Sequence, residues 1–178
     1  TAAVFMLLRT QQMSSEVFVC PSSSYEKDNY VPTDTQNNNA TLRSNFTDPK
    51  NLAYSFTNPY GNTTALGIGW RLNSSMNPEM PIAADMNPGS GYGSWGNINT
   101  SSSQQEMQKA NSTNHGGDGQ NVLYADGHVD WKQTPFAGVQ NDNIWTKANY
   151  ATVNGSKALP SDGKSAGTTS GASANSSP

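Results

Sequence analysis

Apolar positions along the chain come in short bursts separated by long polar stretches, and the spacing within each burst predicts an element. In residues 2–13, AAVFMLLRTQQM, good helix formers place Val4, Leu7 and Leu8 at i, i+3 and i+4, which predicts a short amphipathic helix. Residues 16–20, EVFVC, are β-branched and aromatic and stop at Pro21, which predicts a short strand. Residues 25–50 show no period, carry Asn37, Asn38 and Asn39 in a row, and read as a long surface loop. Strand patterns return at 53–56, 65–72 and 81–85, divided by Asn-Pro, Gly-Asn and Ser/Asn turn signals. Residues 87–103 are rich in Gly, Ser and Asn around Tyr92 and Trp95, aromatics that either plug a loop onto a core or form a platform for sugars or other subunits.

Residues 121–132, NVLYADGHVDWK, join two strand-like runs through Asp126-Gly127. A two-residue type I′ turn at that dipeptide would set Tyr124 opposite Val129 and Val122 opposite Trp131. Val122, Tyr124, Val129 and Trp131 would then share the core face, with Leu123, Ala125, His128 and Asp130 on the other.

Composition changes the picture in two ways. Charged residues make up 13% of the 178, about half the usual ~25%, so solubility rests on 21 Asn, 22 Ser and 16 Thr. The net charge of −3 also excludes the basic stripe that a nucleic-acid backbone would require, and no apolar run reaches the ~18 residues of a membrane-spanning helix. Cys20 is the single cysteine, which excludes an intrachain disulfide and predicts a buried thiol. After residue 158 the chain is almost entirely Ser, Gly, Ala, Thr and Pro. That composition predicts a tail over 147–178 that cannot order itself and, if ordered, is held by something else, such as a neighbouring copy.

The segment NHGGDGQNVLYADGHVDW, residues 114–131, followed by TPFAGVQNDNIWT, resembles the carboxy-terminal signature of the prepilin-type H-x9-DG proteins of planctomycetes and related bacteria. EVFVCPSS at 16–23, NLAYSFTNPYG at 51–61 and PIAADMNPG at 81–89 are similar to other stretches of that family, and the resemblance covers roughly residues 1–146. Ten residues, rather than nine, separate His115 from Asp126. The resemblance implies an exported, pilin-like or pseudopilin-like α+β domain over 1–146, a short N-terminal helix packed on an antiparallel sheet, with no catalytic activity attached. The family opens with a prepilin leader and a long hydrophobic stem, neither of which residues 1–13 show, so a trimmed form is expected.

Only His115 and His128 can act as bases near neutral pH, and neither sits in a nucleophile motif, which predicts a non-enzymatic protein. His115, Asp126 and His128 form a candidate site for zinc or a similar ion, and Asp85 with Asn87 has the D-x-N-x-G look of a calcium loop that lacks its closing carboxylate. Turn chemistry at Asp126 and Gly127 accounts for the first cluster without a metal. Eight N-x-S/T sequons, at Asn39, Asn45, Asn62, Asn73, Asn99, Asn111, Asn154 and Asn175, are candidate glycan sites on an exported chain. The expectation is a structural subunit of an extracellular or cell-surface filament or assembly, whose partners are copies of itself. The alternative is a secreted binding module, using Tyr92 and Trp95 for carbohydrate or the histidines for a metal.

Overall fold

The computed structural model describes residues 2–11, 13–29, 39–57, 72–89, 98–145, 151–153, 156–158 and 172–173. The fold is α+β, with a short N-terminal helix and an antiparallel sheet. The chain divides into two units, residues 1–54 with 177–178, and residues 55–176.

The first unit carries helix α1, Ala2–Gln11. Its buried residues are Phe5 and Leu8, while Leu7 is exposed, so the inward face differs from the Val4, Leu7, Leu8 stripe of the sequence. The reason is aromatic. Phe46 packs edge-on against Phe5 at 5.2 Å and against Phe18 at 5.5 Å, and that cluster draws Phe5 inward. Residues 16–20 do not form the predicted strand. Ser15–Phe18 is a 3₁₀ turn whose Ser14 hydroxyl accepts the Glu16 N–H, an N-cap that competes locally with extended pairing. Phe18 and Cys20 are buried there, the latter as expected. The unit is also held by a buried ion pair. Arg43 donates to both carboxylate oxygens of Asp28, at 3.1 and 2.7 Å, and its guanidinium lies over the Phe5 ring. Asp28 further accepts the Thr47 N–H and hydroxyl, and the Asp28 carbonyl accepts the Ser15 hydroxyl.

The sheet contains β1 (Tyr54–Thr57), β2 (Pro81–Asp85), β3 (Gln120–Tyr124) and β4 (Val129–Lys132), and helix α2 spans Gln104–Ala110. Strand order is β4-β3-β2-β1, with a two-residue strand, Ala172–Ser173, pairing antiparallel with β1. Residues 151–153 and 156–158 form a separate two-stranded pairing. Of the other predicted strands, 81–85 matches β2, 53–56 is displaced by one residue in β1, and 65–71 lies outside the described residues. Helix α2 goes unpredicted from the apolar pattern, although Ser103 and Glu106 form a capping box readable as S-x-x-E. The Ser103 hydroxyl accepts the Glu106 N–H, and Glu106 accepts the Ser103 N–H.

The hairpin forms where expected but with a different turn. Gly127 N–H donates to the Tyr124 carbonyl and Tyr124 N–H to the His128 carbonyl, both at 3.0 Å, so the loop has three residues, 125–127. Gly127 has φ +93°, the left-handed residue that such a bulged turn requires. Asp126 stabilises this form by accepting the His128 N–H at 3.0 Å. The register therefore shifts by one from the expectation. Asn121 faces Trp131, Val122 faces Asp130 and Leu123 faces Val129. Because side chains alternate, the shift moves Val129 and Trp131 off the core face, and both are exposed. Val122 and Tyr124 stay inside with Ala84, Ala137, Ile144 and Trp145, and the Tyr124 hydroxyl donates to the Ala137 carbonyl.

Among the described residues, six of the abundant asparagines act as turn formers. Side-chain oxygens of Asn39, Asn73, Asn77, Asn87, Asn99 and Asn143 each accept the backbone N–H two residues on. These local bonds stand in for regular ladders in a chain with long connections.

Candidate functional site

A dense polar arrangement among the described residues of the second unit lies on the sheet face opposite the Val122 and Tyr124 core. Between Pro81 and Ala83 the β2 register slips by one, after which Ala84 faces Val122 on the core side. Alternation then turns Asp85 to the other side, where its carboxylate accepts the Asn121 N–H at 2.7 Å and the Asn121 side-chain amide at 3.2 Å. The other oxygen accepts the Asn114 amide at 3.3 Å.

His115 reaches the same carboxylate from the connection between α2 and β3. The 3₁₀ turn Thr113–His115 is capped by the Ser112 hydroxyl and ends at Gly116, φ +65°. Gly117, φ +87°, packs so closely that a Cβ there would lie 2.5 Å from the Gln108 carbonyl oxygen, which accounts for the second glycine. His115 Nε2 comes to rest 3.1 Å from Asp85 Oδ2. The Asp85 side chain is 1% exposed and that of His115 21%. Trp131, across from Asn121, meets the imidazole edge-on at 5.1 Å. Beneath it, a Cβ on Gly119 would lie 2.7 Å from the indole.

A second buried layer staples this connection to the bend that follows β4. Gln120 accepts the Ser112 N–H and donates to the Thr134 carbonyl, while the Asn111 amide donates to the carbonyls of Gly117 and Gln133.

The sequence candidates thus separate. His115 pairs with Asp85, whereas His128 pairs with Asp126 through Nδ1 at 2.6 Å and stacks on Tyr124 at 4.4 Å. His115, Asp126 and His128 do not gather as a three-ligand group among the described residues. Hydrogen bonds from the His128 amide and then its imidazole hold the Asp126 carboxyl below its usual range, as befits a turn cap. The calcium candidates also part company, since Asn87 accepts the Gly89 N–H while Asp85 serves Asn121, Asn114 and His115. Tyr92 and Trp95 lie outside the described residues, as do Asn62, Asn154 and Asn175. Among the sequons, Asn73 is exposed, Asn39, Asn45 and Asn99 are half-buried, and Asn111 is 1% exposed with its amide nitrogen already donating twice. A glycan on Asn111 does not fit the folded chain.

Chemically, an Asp–His pair is the orienting half of an acyl-transfer triad, and it also offers two of the ligands a zinc ion takes. What distinguishes this pair is that Asp85 is saturated by donors from β3 and from the preceding turn, an arrangement that fixes one connection to two strands. Searches of known families, curated proteins and solved structures give no match: no family model, no curated sequence and no solved structure aligns significantly with the chain.

Proposed function

We propose that this protein is a non-enzymatic structural subunit of an extracellular or cell-surface assembly, pilin-like in character. The observation that carries the reading is how the two ends of the His-to-Asp-Gly segment are used. His115 clamps the buried Asp85, and Asp126 with Gly127 builds the hairpin turn. The polar residues of the segment that resembles the pilin-like family serve architecture, and the low charge of the chain reduces repulsion between closely packed copies. Immunogold labelling of intact source cells and of shed material tests it. Label on surface fibres or extracellular assemblies is the expected result, and label confined to the cell interior overturns it.

A second reading, a metal-binding module, is favoured by the adjacency of Asp85 Oδ2 and His115 Nε2. Calorimetric titration with zinc would then show one equivalent taken up, with uptake lost in His115→Ala and retained in His128→Ala. No heat of binding in the parent protein excludes it.

A further inference from the structure

Strand β4 is the outer strand of the sheet among the described residues. Tyr124 N–H donates to the His128 carbonyl, and from there bonded pairs alternate, so Asp130 and Lys132 turn their backbone groups toward β3. The N–H and C=O groups of Val129 and Trp131 consequently point away from the sheet. The same two residues are 62% and 41% exposed, with their side chains on the face away from the core. An edge with outward backbone groups and apolar side chains is a template for another strand unless its charges repel one.

The charges on this edge are arranged to match a copy of itself. Asp130 and Lys132 flank Trp131 symmetrically, with Asp130 Oδ2 2.7 Å from Lys132 Nζ within the chain. Two β4 strands running antiparallel about a two-fold axis at Trp131 bring each Asp130 opposite the other chain's Lys132, and Val129 opposite Gln133. The same register lets the two Trp131 residues exchange both backbone hydrogen bonds, since their groups are the outward ones. Two-fold registers centred on Asp130 or on Lys132 set like charges face to face instead. We infer that the occupant of this edge is a second copy of the chain, in an isologous dimer paired through β4 with Trp131 on the axis.

Such a pair closes on itself, so the inference goes beyond the assembly reading and stands or falls separately from it. Sedimentation equilibrium of the purified chain is expected to show a mass rising with concentration from 19.0 kDa toward that of a dimer. Asp130→Lys and Lys132→Asp each introduce two like-charged pairs per dimer and are expected to weaken association about tenfold, and the double variant Asp130→Lys/Lys132→Asp to restore it. Asp130 is exposed and Lys132 half-buried, with its ammonium 5.8 Å from the Tyr124 ring centre, so matching circular dichroism and melting curves check that each variant folds. Independently of charge, Trp131→Cys is expected to form an interchain disulfide on mild oxidation, whereas Val129→Cys, distant from its counterpart, does not. A monomer at all concentrations, a double variant that fails to recover, or equal crosslinking at both positions overturns the inference.

Discussion

The carboxylate of Asp85 sits 3.1 Å from Nε2 of His115, and the oxygen that faces the imidazole also receives the backbone N–H of Asn121. One buried side chain thereby joins β2, β3 and the turn that precedes β3. Asp85→Ala removes the buried acceptor shared by the Asn121 N–H and side-chain amide and the Asn114 amide, and is expected to cost about 3–5 kcal/mol, against about 1–2 kcal/mol for the partly exposed His115→Ala. Urea midpoints of the two variants measure the difference. Equal losses would show that Asp85 does no more than serve the imidazole.

In the first unit, burial pushes the Asp28 carboxyl up, but Arg43 and Thr47 together outweigh burial and hold it below its ordinary value. A carboxyl whose folded pKa is depressed contributes stability in full above its unfolded pKa, near 4, and loses it as pH falls through the lower folded value. Thermal melting of the parent is therefore expected to fall on acidification below about pH 4. Asp28→Asn should flatten the part of that pH dependence due to this carboxyl. Arg43→Met, which strands the buried carboxylate, should cost about 3–5 kcal/mol at neutral pH.

The hairpin register is directly testable. Leu123 and Val129 stand opposite each other as a non-hydrogen-bonded pair, in which side chains approach most closely. Leu123→Cys/Val129→Cys is expected to oxidise to an intrachain disulfide without loss of fold. The pair Leu123→Cys/Asp130→Cys, opposed in the two-residue-turn register, should oxidise more slowly. Mass spectrometry of iodoacetamide-treated protein gives the rates, and the reverse order would restore the two-residue turn.

Helix α2 is seven residues long and starts at a reciprocal cap between Ser103 and Glu106. Ser103→Ala is expected to destabilise the chain by about 1 kcal/mol, and Ser103→Asp, which preserves the acceptor, by much less. Hydrogen exchange at the Glu106 and Met107 amides reads the effect locally.

Glycopeptide mapping of protein from its source is expected to find Asn111 unmodified. Its buried amide nitrogen donates to Gly117 and Gln133, so occupancy there would require the connection to open. Any glycans on the described sequons should favour Asn73, which is exposed.

The residues of the sequence by themselves determined much of the local structure. Helix-forming residues 2–11 made α1, the short strand signal at 81–85 between turn signals made β2, and Asp126-Gly127 marked a hairpin. These features depend on contacts within a few positions along the chain, which is why they are legible there. Turn length was not, because two- and three-residue loops both suit Asp-Gly, and the choice rested on the Asp126 contact with the His128 amide. Residues 16–20 were likewise ambiguous, since their β-forming side chains lost to the Ser14 cap. Asp85 and His115 both stood out as candidate ligands, but in separate sites. Their pairing depends on a one-residue slip in β2 and on two left-handed glycines, and so it is decided only when strands distant in sequence come together.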